Sequence, residues 1–432
     1  MNPRLAKLLE IAENHGAQAV FLGLERINQL LDRLQSPHLG LTPIHVAGTN
    51  GKGSVIAFLA EIFQQAGLTT GSYTSPHLAR FNERIRLNGA EISDEQLIPL
   101  LERTLRACSG VDETYFEITT ACALLHFAHL KPDITLLETG LGGRLDATSV
   151  VTPGLCLITP ISLDHQAFLG ESLVEIAREK AGIIKPGVAV VADPGSESAR
   201  EVIDTRARSL GAPLILRGRD YDFIEGVGGA WTYTDHAGAI TLPHPGLRGR
   251  HQLQNAALAV AAIRHLPKKN RAVPNDFPSD MAISEEVIRQ GIHQARWPGR
   301  LEFFPGAPPI WLDGAHNPQG ARVLKEALLD GEAGKGATLL IFSAFEDKDI
   351  PAMVRELAPL AQRILVVGSS GPRGLTGERI ARFWPAGEGM VTSHATAAEA
   401  LATARLEASP SQRVVVAGSL HLVGAVRSLL NA

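Results

Sequence analysis

Short apolar, β-branched runs alternate along the chain with longer stretches of helical period, the pattern of a parallel sheet covered by helices. In the first part, the runs at 43–46, 134–138, 155–159, 188–192 and 213–216 predict strands. Between them, 52–65, 94–107, 117–129 and 173–180 carry helical periodicity. Residues 217–242 are weaker in signal: GVGG precedes Trp231 and Tyr233 alternating with Thr232 and Thr234, which predicts a hairpin or a short antiparallel piece. An apolar helix is expected over 251–265 and a polar, proline-containing surface loop over 267–278. The alternation restarts at Ile310, with IWLD, TLLIFSA, ILVVGS and VVVAGS beginning near 310, 338, 364 and 414. The expected fold is therefore α/β in two domains, 1–296 and a smaller Rossmann-like unit over 297–432, hinged at Trp297-Pro298-Gly299-Arg300.

Composition narrows the classes. A chain of 432 residues with 45% hydrophobic and 20% charged residues matches an ordinary soluble enzyme and can bury sizeable cores. The net charge of −4, from 41 basic and 45 acidic residues, leaves no electrostatic footprint for nucleic acid or an anionic membrane. The opening segment MNPRLAKLLEIAENHG breaks its apolar run with charges, unlike a secretory signal or a membrane span, so a cytoplasmic location is expected. Cys108, Cys122 and Cys156 are too scattered for a disulfide framework or a zinc site and are expected to be buried thiols.

The sharpest local signal is Ile44-His45-Val46-Ala47-Gly48-Thr49-Asn50-Gly51-Lys52-Gly53-Ser54. A strand enters a glycine-rich turn and then a helix, so successive N–H groups and the helix N-terminus face a phosphate chain. Lys52 has the reach for the β- and γ-phosphates, and Ser54 offers a hydroxyl to Mg²⁺. The strict G-x-x-x-x-G-K-[ST] pattern is not met: Val46 stands at its first glycine, and Gly53 separates Lys52 from Ser54. The alternative is an ordinary glycine-rich turn, against which the flanking strand and helix argue. Nucleotide binding alone leaves the reaction open. Glu138 closes DITLLE at the carboxyl edge, where α/β sheets place ligands. A carboxylate there suits Mg²⁺, a hard cation; a helix-capping or salt-bridged carboxylate is the plain alternative.

GTNGKGS at 48–54 resembles the phosphate loop of the Mur ligase superfamily, which joins amino acids to carboxylates using ATP. LGLERI at 22–27, TSPHL at 74–78, RFNERIRLNG at 80–89 and ETGLGGRLDATS at 138–149 narrow the resemblance. So do LDH at 163–165, EIAREKAGIIKPG at 175–187, WPGRLE at 297–302 and LDGAHNP at 312–318. Together they are similar to the folylpolyglutamate synthases and their bifunctional dihydrofolate synthase relatives, from about residue 20 to the C-terminus. The resemblance implies a P-loop-containing, Mur-ligase-like N-terminal domain that binds ATP and folate, and a C-terminal domain that closes over ATP and binds glutamate.

It also implies roles for individual residues. Gly48, Thr49, Asn50, Gly51, Lys52, Gly53 and Ser54 would cradle ATP, with Asn255 and Arg300 contacting it and Asp313 meeting the ribose. Glu138 and Ser75, with Ser54, would hold Mg²⁺, and His165 a second Mg²⁺. Lys180, by its local sequence a surface lysine no different from Lys185, would be carbamylated by CO₂ and become an anionic ligand of that second ion. His316 would reach the phosphate and the incoming amino acid, so Lys52, Lys180 and His316 form the catalytic expectation. Arg300 in an interdomain salt bridge is the plain alternative. Ser419 is a candidate glutamate contact, or simply a helix N-cap.

For the folate side, the segment ending in Phe21-Leu22 and the pair Phe116-Glu117 are the candidates. Relatives that make dihydrofolate commonly have aspartate where this chain has Phe21. Arg144 and Asp146 would order a loop at the pterin or belong to a structural turn. The expected partners are ATP, L-glutamate and tetrahydrofolate or 7,8-dihydropteroate, with neither nucleic acid nor membrane, and a monomer is expected. Two rivals remain: a Mur-type ligase for peptidoglycan precursors or cyanophycin, and a nucleotide switch without ligase activity. LGLERI and RFNERIRLNG argue against the first, and the Glu138, His165, Lys180 set against the second.

Overall fold

The computed structural model describes residues 2–15, 23–108, 113–266, 277, 283–330, 336–371, 373–385 and 390–431. They divide into two compact units, Met1–Pro76 with Arg80–Gly246 and Leu253–Ala295, and His77–Ala79 with Leu247–Gln252 and Arg296–Ala432.

The first unit is built on an eight-stranded sheet. In chain order its strands are β1 (Ile44–Ala47), β2 (Thr70–Tyr73), β3 (Ile85–Leu87), β4 (Ala90–Glu91), β5 (Ile134–Glu138), β6 (Leu155–Ile158), β7 (Val190–Ala192) and β8 (Leu214–Leu216). Their spatial order is β4-β3-β2-β5-β1-β6-β7-β8, and only the β2–β3 and β3–β4 pairs are antiparallel. β1, β5 and β6 are buried along their whole length, which is why they read as continuous apolar runs. β2, with sequence TGSY, was not among the predicted strands. Its small residues serve packing: a Cβ on Gly71 would lie 2.9 Å from the Phe127 ring, and the Tyr73 hydroxyl meets the hydroxyls of Thr119 and Thr120 at 3.1 and 3.2 Å. The weak region becomes a three-stranded antiparallel sheet, β9 (Tyr221–Glu225), β10 (Trp231–Asp235) and β11 (Gly238–Leu242), with β10 in the middle. Trp231 and Tyr233 take its buried face, as their alternation requires.

The second unit has a six-stranded sheet of β12 (Glu302–Phe304), β13 (Ile310–Leu312), β14 (Thr338–Phe342), β15 (Ala361–Val367), β16 (Met390–His394) and β17 (Arg413–Ala417), ordered β12-β13-β17-β14-β15-β16. β12 is antiparallel to β13 and the other pairs are parallel. Alternate residues feed two cores: Leu340, Phe342 and Val415 on one face, Leu339, Ile341, Val414 and Val416 on the other. The edge strands β12 and β16 escape sequence reading because neither carries a long apolar run.

Two expectations need correction or limits. Cys122 and Cys156 are buried thiols, but Cys108 is only half-buried at the end of helix Asp94–Ala107. Of the loop expected over 267–278, only Phe277 lies among the described residues, and it is buried. Among the described residues, no helix is long and apolar enough to cross a membrane.

Candidate active site

β1 delivers the glycine-rich loop from the middle of the first sheet. Gly48 has φ +148°, and a Cβ on it would lie 1.8 Å from Thr159 Oγ1, so no side chain fits there. The Thr49 N–H donates to Pro160 O at 3.0 Å, and the Thr49 hydroxyl donates to Ser162 O at 3.1 Å. These bonds tie the loop to the end of β6. Gly51, at φ +91°, starts helix Lys52–Gln65, whose N-terminus carries no side-chain cap. A Cβ on Gly51 would lie 2.4 Å from Asn255 Oδ1, which brings buried Asn255 against the loop. Gly53 and Ser54 are buried in the first helical turn. Uncapped first-turn N–H groups and their dipole favour an anion.

Charged side chains converge beside this loop. Lys52 Nζ donates to the carbonyls of Gly48 and Thr49 at 3.2 and 3.1 Å and stands 3.9 Å from Glu138 Oε1. Glu138, the buried last residue of β5, accepts the Ser75 N–H at 3.2 Å. Lys180 is not the surface lysine its local sequence suggested: it is 5% exposed, and its Nζ donates to Gly48 O at 2.7 Å. Burial, and then the positive charge of Lys52, push its pKa down to about 7, against the opposing fields of Asp164 and Asp146.

The difference from Lys185 is tertiary. Helix Leu173–Lys180 ends against the loop at 140–146, where the Arg144 N–H donates to Glu179 O at 2.8 Å. A Cβ on Gly143 would sit 2.8 Å from the carbonyl oxygens of Glu179 and Lys180, and one on Gly182 would sit 2.3 Å from Arg144 Cα. Two glycine stretches far apart in sequence thus close on each other and drive Lys180 inward. Lys185 instead donates to Ser149 O at 2.9 Å and stays half-buried.

His165 lies at φ +51° on the turn after β6, its N–H donating to Asp164 Oδ1 at 2.8 Å, with the ring partly exposed. Asp164, whose negative field reaches Lys180, was not singled out in the sequence although it is the middle residue of LDH. Among the described residues, the trio of His, Cys and carboxylate donor atoms within 4.8 Å of one another is His15, Cys108 and Glu113. There the Glu113 carboxylate is engaged by His15 and Arg33, both at 3.2 Å, so it is an ion-pair cluster.

The folate-side candidates separate. Phe21 and Leu22 lie outside the described residues. The Phe116 ring packs on Gly140, where a Cβ would be 2.4 Å away, and is 6.1 Å from the Tyr73 ring. Glu117 is occupied locally: it accepts the Thr114 N–H at 2.7 Å in a capping box and pairs with Arg26 at 3.1 Å. Arg144 is exposed and pairs with Glu179 at 3.0 Å. Asp146 is buried and accepts the N–H of Leu141 (2.7 Å) and the N–H and hydroxyl of Thr148 (3.0 and 2.5 Å), so it orders the turn. Because Thr148 gives its hydroxyl proton to Asp146, His45 Nε2, 2.8 Å away, donates to Thr148 Oγ1. Burial pushes the His45 pKa down to about 3, with Lys185 adding to the effect, so it is neutral at pH 7.

In the second unit, Asp313 directly follows β13. Its two oxygens accept the N–H groups of Leu301 and Ala315, both at 2.9 Å, and its pKa is raised by burial. His316 Nδ1 donates to Gly314 O at 2.8 Å, which makes Nδ1 the protonated nitrogen. Arg300 Nη1 contacts Gly299 O at 3.4 Å. Ser419 stands at the N-cap position of helix Leu420–Leu430 but makes no cap bond, and its buried Oγ has no hydrogen-bond partner among the described residues. It lines a cavity of ≈ 750 Å³ at the carboxyl ends of β14, β15, β16 and β17, with Ser343, Ser369, Thr376, Ser393 and His421.

Residues 299–420 match the family model described as Mur ligase, glutamate ligase domain. The chain is 40% identical over 362 residues to the dihydrofolate synthase/folylpolyglutamate synthase of Bacillus subtilis, covering 81% of this chain and 82% of that protein. It is 33% identical over 432 residues to the Escherichia coli protein of the same description, covering 99% and 96%. Among solved structures, E. coli FolC in complex with DHPP and ADP matches with a TM-score of 0.88 at 32% identity, covering 99% of this chain and 97% of that one. The bifunctional enzyme of Yersinia pestis complexed with AMPPNP and Mn ion matches with a TM-score of 0.87 at 33% identity, covering 99% and 98%.

Proposed function

The chain belongs to the dihydrofolate synthase/folylpolyglutamate synthase family, and from that membership we propose that it is an ATP-dependent ligase adding L-glutamate to folates and to 7,8-dihydropteroate. The observation that carries the reading is the meeting of Lys52 and Lys180 at the carbonyl of Gly48, with Glu138 3.9 Å from Lys52, beside an uncapped helix N-terminus. A carboxylate is a poor electrophile until its oxygen becomes a leaving group. Transfer of the ATP γ-phosphoryl group makes an acyl phosphate; the glutamate amine then attacks, the amide forms and phosphate leaves. Both substrates and the triphosphate are anionic, so the transferring group must be surrounded by positive charge.

Lys52 is the mobile cation: it exchanges the Gly48 and Thr49 carbonyls for phosphate oxygens. The loop N–H groups and the N-terminus of Lys52–Gln65 hold the polyphosphate, with Asn255, Arg300 and Asp313 as further ATP contacts. Glu138, Ser75 and Ser54 are oxygen donors that suit Mg²⁺, a hard cation, with His165 and Lys180 serving a second ion. When bound, Mg²⁺ supplies positive charge at the phosphoryl group in flight. A buried lysine with a pKa near 7 is largely an uncharged amine at slightly alkaline pH. Such an amine attacks CO₂, forming an N–C bond and losing a proton, and the carbamate that results replaces an unwelcome cation beside Lys52 with an anion. In this reading 1–296 carries ATP and folate, and 297–432 carries glutamate through His316 and Ser419.

The test is phosphate release from MgATP and L-glutamate with dihydropteroate, with tetrahydrofolate or with no acceptor, alongside the mass of the product. Release with both acceptors and a gain of glutamyl units is expected. Release with tetrahydrofolate alone would restrict the enzyme to folylpolyglutamate synthesis, and no acceptor-dependent release would refute the folate reading.

A further inference from the structure

We propose that Gly314 and Leu301 are positioning residues that aim the Arg300 guanidinium, an inference that rests on the reading of Arg300 as an ATP contact. Leu301 is 1% exposed and has φ +44°, a left-handed conformation that leucine rarely adopts and that persists only where surrounding bonds enforce it. Here they do. The Leu301 N–H donates to Asp313 Oδ2 at 2.9 Å, and the Gly314 N–H donates to Gly299 O at 2.8 Å. The Gly299 N–H donates to Glu302 Oε2 at 2.8 Å, and Arg427 Nε holds both oxygens of Glu302 at 3.0 Å. The turn Gly299–Glu302 is thereby pinned from β13 on one side and from helix Leu420–Leu430 on the other.

The turn brings Arg300 directly over Gly314. A Cβ on Gly314 would lie 2.3 Å from Arg300 Nη1 and 2.5 Å from Leu420 Cδ2, so the absence of a side chain is what admits the guanidinium. Arg300 makes no ion pair within the described residues, although the Asp313 charge is near enough to act on it. His251, the basic neighbour, has its pKa pushed down to about 4 by burial and by Arg300 itself, so it is neutral at pH 7 and does not repel the guanidinium. A part-buried arginine without a carboxylate partner, held on an enforced left-handed turn, is a cation set out for an incoming anion.

A double-mutant cycle on the full chain reads this directly. Arg300→Ala is expected to lower kcat/KM for ATP by about 100-fold or more. Gly314→Ala is expected to lower it by about 10- to 100-fold, leaving the KM for glutamate unchanged, and to add nothing in the Arg300→Ala background. A merely structural glycine would cost the same in both backgrounds; that result, or unchanged ATP kinetics in Gly314→Ala, overturns the inference. If Arg300→Ala leaves ATP kinetics untouched, the reading of Arg300 fails, and this inference with it, while glutamyl transfer itself persists. Should Gly314→Ala not fold, Leu301→Val takes its place, since a β-branch disfavours the left-handed backbone. Its loss of kcat/KM must vanish in the Arg300→Ala background, and an undiminished loss there overturns the inference equally.

Discussion

The two sheets present their carboxyl edges in different chemical styles. At the first, Lys52, Glu138 and Lys180 are drawn into the protein around a glycine loop, where charges act at short range and low dielectric. At the second, the cavity beside Ser419 is bordered largely by hydroxyls and helix starts, and the cations Arg300, on the turn Gly299–Glu302, and Arg427, on helix Leu420–Leu430, do not line it. Moving a phosphoryl group requires concentrated charge. Holding an amino acid in one orientation draws on directional hydrogen bonds, which hydroxyls supply. Under the proposed function, the contrast fits phosphoryl transfer at the first edge and amino-acid recognition at the second.

The contrast breaks most directly at Lys52. Lys52→Ala should reduce kcat by about 10²–10³-fold, measured as phosphate release, while its thermal unfolding stays close to wild type. A small kinetic effect would return the first edge to ordinary binding. Gly48→Ala tests whether the loop is as tight as its contacts indicate. With Thr159 Oγ1 in the way, it should cost about 3 kcal/mol or more in a denaturant melt.

Burial of neutral polar groups under the same loop gives a pH signature. The folded pKa of His45 is about 3, below its ordinary 6.5, so the unfolded chain takes up this proton first. Stability should then fall as pH drops from about 6.5 towards 3, by up to about 1.4 kcal/mol per unit from this group. Urea titrations should show a shallower dependence for His45→Gln.

At the second edge Ser419→Ala should change stability by less than about 0.5 kcal/mol, because Oγ has no partner to lose, and raise the KM for glutamate about tenfold. An unaltered KM would remove Ser419 from the amino-acid site. Least affected should be Arg144→Ala, whose exposed pair with Glu179 is worth under about 1 kcal/mol.

Much of this architecture was legible in the chain. β1, β5, β6, β14, β15 and β17 are covered on both faces, so their burial is written as local apolar runs. The phosphate loop was legible for the same reason, since strand, glycines, lysine and helix lie within one short segment. Glu138 was visible because a strand end is a local property.

What the sequence could not state is who meets whom. Lys180 and Lys185 share one neighbourhood of residues, and only the closure of Gly143 on Glu179 and of Gly182 on Arg144 sends the first inward. β2, absent from the predicted strands, owes its place to Phe127 covering Gly71, and the left-handed backbone of Leu301 depends on Asp313 accepting its N–H. Periodicity and motif spacing determined the elements and the chemistry available at their ends, because those depend on neighbours along the chain. Burial of a charge, the approach a glycine permits and the direction an arginine takes depend on neighbours in space, and those the tertiary structure alone decided.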